Sequence, residues 1–324
     1  MTRDWRPGAT PETLRLRADL LRRARLYFSE REVLEVETPA LARASATDGA
    51  LESLVCTEPS GDRPLYLQTS PEFFMKRLLA AGSGSIYQFC RVFRAGERGR
   101  RHNPEFSLLE WYRTGIDYLQ LMDEVADLVG ELLPGGLLRD PPLRISWAEA
   151  FQRYAGVDGL TADQRSLRLR AQELGVEPSA ELAVSGREVW LDLLMSHAVE
   201  PALPRERLVF LYRYPAAQAA LAQIDSDDPR ICRRFELYLN GVELANGFQE
   251  LADAAEQRER FEADQRKRRR RGLADVPSDP LVLAALACGL PACSGVALGF
   301  DRLVMLAGGL GSVDQAMAFS WDRV

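Results

Sequence analysis

Apolar and polar positions alternate at strand spacing in two neighbouring stretches, SIYQFCRVFR (85–94) and FSLLEWYR (106–113), which predict two strands joined by a densely charged loop. Upstream, Thr10-Pro11 sets a helix start with proline at the first helical position. Leu14, Leu20, Leu21 and Tyr27 then mark the apolar stripe of an amphipathic helix to about residue 30. EVLEVETPAL (32–41) alternates and ends at Pro39, so it predicts a strand. PLYLQTSPEFFMKRLLAAG (64–82) predicts a strand, a Ser-Pro turn and a helix closed by Gly82. YLQLMDEVADLVGELL (118–133) and EVWLDLLMSHAVEPAL (188–203) predict helices, the second placing His197 as a structural residue. RFELYLNGVELANGF (234–248) predicts a hairpin turning on Asn240-Gly241. A charged helix spans about 253–271, and GVALGFDRLVML (295–306) predicts a glycine-rich strand running into a helix. Without internal repeats or a low-complexity linker, the pattern fits one α+β domain over residues 1–324. Its sheet is mostly antiparallel, and residues 134–185 form a helical insertion.

The 324 residues carry 41 basic and 47 acidic side chains, a formal net charge of −6 and a pI near 5.3. A chain gripping nucleic acid by bulk electrostatics is ordinarily basic, so any polyanion is expected to be met locally. No apolar run reaches the ~18 residues of a membrane span. Of five scattered cysteines only Cys288 and Cys293 lie close together, and with no second pair or histidine nearby all five read as reduced cytosolic thiols.

Chemistry concentrates in three places. On the strand 106–113, Phe106, Leu108, Glu110 and Tyr112 share a face, so a pocket there receives a carboxylate and a phenol together, with Arg94 within reach as a fork for phosphate or carboxylate. A salt-bridged surface hairpin is the alternative. Glu236, Glu243 and Glu250 recur at intervals of seven, and such hard oxygen donors beside a polyphosphate suit Mg²⁺. Asn246, Phe248 and Glu250 alternate beyond Glu243. In SGVALGFDR (294–302), Gly295 and Gly299 admit a flat ligand to the strand backbone, and Arg302 opens a helix where an anion is favoured.

A proline-ended strand, an FR…RHNPEF…E hairpin and a G-x-A-x-G-x-D-R segment, in that order, resemble the three signature motifs of class II aminoacyl-tRNA synthetases. TSPEFFMKRLL, HNPEFSLLEWY and ELANGFQEL narrow the resemblance to the lysyl-tRNA synthetase catalytic domain, over about residues 12–324. The resemblance implies an antiparallel sheet flanked by helices, a homodimer, and ATP-driven formation of an aminoacyl-adenylate. It implies Arg94 and Arg302 as catalytic cations, Arg302 also stacking on adenine. ATP would meet Arg94, Ala95, Gly96, His102, Asn103, Glu243, Leu244, Gly299 and Arg302, and Glu236 and Glu243 would hold Mg²⁺. The amino acid would lie among Gly49, Ser70, Pro71, Glu72, Glu110, Tyr112, Asn246, Phe248, Glu250 and Ala297.

Three departures from the synthetase pattern refine this. Only about thirty residues precede the first motif strand, too few for an anticodon-binding domain, so stable tRNA binding is not expected. Ala297 stands where the synthetase has glycine, which narrows the pocket beside the substrate amino group. Gly96 stands where the synthetase has an adenine-contacting glutamate, with Glu97 next. YPAAQAALAQI (214–224) adds a resemblance to truncated paralogues of lysyl-tRNA synthetase. That resemblance implies (R)-β-lysine as substrate ahead of L-α-lysine, elongation factor P as the protein acceptor, and a cytoplasmic setting away from membranes. A minimal tRNA-charging enzyme and an inactive regulatory subunit stand as alternatives. RKRRRR (266–271) reads as a solvated helix end or as a docking patch for an acidic partner.

Overall fold

The computed structural model describes residues 5–49, 51–57, 63–135, 137–176 and 186–324. In chain order the strands are β1 (Leu34–Glu35), β2 (Leu41–Ala42), β3 (Val55–Thr57), β4 (Pro64–Leu67), β5 (Ile86–Phe93), β6 (Glu105–Thr114), β7 (Leu143–Ser146), β8 (Leu208–Pro215), β9 (Ile231–Leu239), β10 (Val242–Gln249) and β11 (Cys293–Gly299). The chain divides into two compact units, Met1–Pro134 with Gly247–Val324, and Gly135–Asn246.

In the first unit the strand order is β1-β5-β6-β11. β1 runs parallel to β5, and the β5/β6 and β6/β11 pairs are antiparallel. Register decides what the site contains. Ile86 lies opposite Tyr112, Gly295 opposite Tyr112, and Ala297 opposite Glu110. Opposed residues share a face, so Glu110, Tyr112, Gly295 and Ala297 point the same way. Residues 107–112 of β6 are all buried, because both faces of the strand are covered. On one face the helix Pro11–Ser29 lays Phe28 flat on Tyr87, with ring centroids 4.3 Å apart, and edge-on to Trp111. On the other, Ile86 and Tyr112 pack with Met75, Leu79, Leu286, Leu290 and Cys293. The helices Glu72–Ala80 and Pro280–Cys288 supply three of those side chains, Met75, Leu79 and Leu286.

The first helix begins as the sequence predicts. Thr10 accepts the Thr13 N–H at 3.2 Å and proline takes the first turn. Its buried stripe is narrower than expected: Leu20, Ala24, Tyr27 and Phe28 are inside, whereas Leu14 is exposed and Leu21 half-buried. The strand expected over 32–41 exists only as two-residue pieces, β1 pairing with β5 and β2 with β4. Pro39 lies between them, and a proline has no N–H for a ladder. β2, β4 and β3 form a separate small sheet.

In the second unit β7 is parallel and β9 antiparallel to β8. Asn240 and Gly241 both take positive φ (54° and 73°), as the two-residue hairpin turn into β10 demands. The helices Trp147–Ala150, Gln164–Glu173 and Arg187–Leu194 belong to this unit. Residues 177–185 lie outside the described residues, and β7 falls in a stretch expected to be helical. His197 is exposed rather than built into an apolar face, its ring nitrogen 3.0 Å from the Leu193 carbonyl. No helix among the described residues is long and apolar enough to cross a membrane.

Candidate active site

A cluster of buried charge lies on the shared face of β6 and β11. The Tyr112 hydroxyl donates to Glu110 at 2.7 Å, and the Ser70 hydroxyl donates to the other Glu110 oxygen at 2.7 Å. Ser70 also accepts the Glu72 N–H at 3.1 Å, which ties the Ser-Pro turn to the helix that follows, with Pro71 buried between. Glu250, at the exit of β10, is 2% exposed. Gly295 forms the floor: a Cβ there would collide with the Glu250 carboxylate and the Tyr112 ring. Phe248 and the half-buried Ala297 complete this side.

At the centre is a residue that the sequence reading passed over. The Lys76 ammonium is 2.6 Å from Glu72 and 2.6 Å from Glu250, with the lysine only 2% exposed. It also lies 5.9 Å from the centroid of the Phe248 ring. Burial opposes its charge, but Glu250 and Glu72 outweigh burial and keep the ammonium protonated. Burial, with Glu72 adding to it, pushes the Glu110 carboxyl up to about 7. Burial likewise pushes Glu250 up to about 8, against the pull of Lys76. Burial and Glu110 hold the Tyr112 phenol well above its ordinary range, so it is a donor.

Next to this cluster, Arg94 donates to the Thr69 carbonyl at 3.4 Å, one residue before Ser70. Its guanidinium sits 5.0 Å from the Phe106 ring centroid and 3.6 Å from Glu97. Ala95 donates its N–H to the Glu52 carbonyl at 2.7 Å, and Gly96 turns with φ of 78°. Arg302, in the first turn of the helix Phe300–Ala307 that Gly299 caps, donates to the Arg101 carbonyl at 3.2 Å and to His102 Nε2 at 2.8 Å. Burial and Arg302 lower the His102 pKa, so the ring is a neutral acceptor. The Asn103 side chain is engaged at both ends, donating to the Glu105 carbonyl at 2.6 Å and accepting the Trp321 N–H at 2.9 Å. It braces the charged loop from within.

In the second unit Glu236 accepts hydroxyls from Tyr214 and Tyr238, each at 2.6 Å, and pairs with Arg234. Glu243 acts electrostatically on the same three residues. Asn246 accepts from Arg234 at 3.2 Å, and Leu244 is buried. No group of three or more metal-ligating side chains occurs among the described residues. Mg²⁺ ordinarily takes one or two carboxylates and completes its shell with phosphate and water, so the donor chemistry of Glu236 and Glu243 suits it. A metal would have to take Glu236 from Arg234 or a tyrosine.

The basic run is not uniformly solvated. Arg268 is 1% exposed and donates to the carbonyls of Asp48 at 3.0 Å, Leu51 at 3.2 Å and Ala274 at 3.0 Å. It braces the segment carrying Gly49, whose Cα position faces the Arg268 and Arg271 side chains. Neither reading of RKRRRR applies at this position.

The model of the family tRNA synthetases class II (D, K and N) matches residues 2–323. The chain belongs to this class II synthetase family. Its fold is that of the class II synthetase domain, an α+β fold. Within this family the chain is 48% identical over 326 residues to proteins named elongation factor P–(R)-β-lysine ligase from Salmonella paratyphi B (strain ATCC BAA-1250 / SPB7), Salmonella schwarzengrund (strain CVM19633) and Salmonella choleraesuis (strain SC-B67). Each alignment covers 99% of this chain and 99% of the relative. In this class II synthetase domain Arg94 follows β5, Arg302 lies in the helix after β11, and Glu110 stands on β6 with Glu72 and Glu250 near it. Lys76 and Arg268 are the residues of that surroundings that motif reading missed. A lysine four residues after a glutamate on a helix does carry a signal, since such pairs meet.

Proposed function

We propose that this chain is an ATP-dependent ligase that activates (R)-β-lysine and passes it to the ε-amine of a lysine on elongation factor P. The observation that carries this reading is the carboxylate set of the buried Glu110 and Glu250 with the half-buried Glu72, on a glycine floor and adjoining Arg94. A pocket so rich in buried carboxylates selects ammonium groups and leaves a substrate carboxylate pointing away from them. The full-length likeness to relatives bearing the ligase name supports the same substrate and acceptor.

In the first step a carboxylate oxygen of the amino acid attacks the α-phosphorus of ATP. A C(O)O–P bond forms as the bond to pyrophosphate breaks. Arg94 and Arg302 are fixed cations for the charge that spreads over the phosphates, and no side-chain nucleophile takes part. Ser70, Tyr112 and Glu110 orient the amino group. Gly49, Pro71, Phe248 and Asn246 are proposed to bound the amino acid, and Ala95, Gly96, His102, Asn103, Leu244 and Gly299 the nucleotide. Mg²⁺, carried by Glu236 and Glu243, would offset phosphate charge. In the second step the acceptor amine attacks the adenylate carbonyl carbon, AMP leaves with the electrons of the C–O bond, and the amine gives up a proton. We take the working form to be a cytoplasmic homodimer of single catalytic domains with no stable hold on tRNA.

The test is the mass of elongation factor P after incubation with the protein, ATP, Mg²⁺ and (R)-β-lysine. Addition of one lysyl residue supports the reading. An unchanged mass with concurrent charging of tRNA would replace it with the synthetase alternative.

A further inference from the structure

Lys76 is a whole lysine placed inside a pocket meant for another one. Glu72, one turn earlier on the same helix, and Glu250, beyond the end of β10, approach its ammonium from two sides at 2.6 Å. Glu110 and Tyr112 of β6 and Cys293 of β11 complete the titratable groups around it. Three carboxylates thus surround one built-in ammonium, and two negative charges are in excess when all are ionised. Burying a lysine this fully is costly unless it is paired, and here both pairings are with residues of the amino-acid pocket.

We propose that Lys76 is a specificity-determining positioning residue, a tethered ammonium that fixes Glu72 and Glu250 and sets the pocket's charge to match two substrate ammoniums. This rests on the amino-acid site proposed above and names what that site selects: a diamino monocarboxylic acid. A monoamino acid leaves one buried carboxylate without a cation, which must then stay protonated. Removing Lys76 leaves Glu250 without the cation that favours its ionised form, so it binds a proton more tightly and no longer receives the substrate in place.

The first experiment compares Lys76→Met with wild type in amino-acid-dependent pyrophosphate exchange, after thermal unfolding has established that the variant folds. The KM for (R)-β-lysine is expected to rise roughly 30-fold or more while the KM for ATP stays put. The acid limb of kcat/KM is expected to move to higher pH. Lys76→Ala should recover when methylammonium is supplied and not when tetramethylammonium is. A folded Lys76→Met with unchanged amino-acid KM and an unmoved acid limb overturns the proposal. A second measurement needs no variant: calorimetry of wild type at pH 7 in buffers of different ionisation enthalpy. (R)-β-lysine is expected to release more protons on binding than 6-aminohexanoate, and equal release overturns the charge match. Wild-type protein that binds (R)-β-lysine but shows no exchange would count against the proposed activity while leaving the Lys76 test intact.

Discussion

Asp301 accepts the backbone N–H of Ser107 at 2.7 Å and pairs on its other oxygen with Arg17. Through this one carboxylate the helix bearing Arg302 is fastened to β6, the strand bearing Glu110, and to the first helix of the chain. Arg302, proposed to meet the nucleotide, is therefore held in register with Glu110, proposed to meet the amino acid. Asp301→Ala leaves the buried Ser107 amide without its acceptor and takes the carboxylate from Arg17, which keeps its bond to the Ser107 hydroxyl at 2.6 Å. It should cost about 3 kcal/mol of stability in urea unfolding and raise the KM for ATP. Loss of stability with an unmoved ATP KM would confine Asp301 to a structural role.

The pH dependence follows from Glu110 and Glu250, whose carboxyls burial pushes up to about 7 and about 8. Both values lie above the ~4.3 of an unfolded glutamate. The folded protein therefore binds these protons more tightly. The stability they contribute is present in full at low pH and is lost as pH rises through about 7 and about 8. The ligand-free melting temperature should decline over that window, and Glu110→Gln should flatten the decline. Activity should run the other way, with kcat/KM rising as the pair ionises, because an ammonium is met by the carboxylate form. The two steps belong to the coupled cluster rather than to either residue. A flat wild-type melting profile would contradict the assignment.

Ala297 and Gly295 occupy alternate positions of β11 on the pocket face, opposite Glu110 and Tyr112. In the proposed amino-acid site the methyl of Ala297 would take up room beside the substrate's amino group. Ala297→Gly should shift the exchange preference toward L-α-lysine by about 10-fold, the scale of one methyl in a tight pocket. Gly295→Ala puts a Cβ against Glu250 and Tyr112 and should raise the KM for every amino acid tested. An unaltered α-to-β ratio in Ala297→Gly would remove the steric basis for the β isomer.

Arg268 separates the basic run into two kinds of residue. Arg268→Ser strips donors from the Asp48, Leu51 and Ala274 carbonyls and should destabilise the protein by about 2 kcal/mol. It should also raise the amino-acid KM by loosening the segment that carries Gly49. Arg270→Ser, at an exposed position, should leave both unchanged. Equal stability of the two variants would put Arg268 back among the solvated residues.

Much of this site was legible because strands alternate with a fixed period. Once 106–113 is a strand, Glu110 and Tyr112 must share a face, and they do. Asn240-Gly241 likewise announced its turn, since the hairpin demands positive φ at both positions. Lys76 and Arg268 were hidden for the opposite reason. Each looks like a solvated position on an amphipathic or charged helix. Their burial depends on groups far along the chain: Glu250 for one, and for the other carbonyls 220 and 217 residues away. Periodicity within an element carries no information about such partners. The short strand Leu143–Ser146 was missed because four residues are too few to show an alternation.

The most direct measurement is pyrophosphate exchange by the purified protein with ATP and Mg²⁺, comparing (R)-β-lysine with L-α-lysine. We expect clear exchange with both compounds and a markedly higher kcat/KM for (R)-β-lysine. Equal or better exchange with L-α-lysine would contradict the proposed substrate, and no exchange with either would contradict adenylate formation itself.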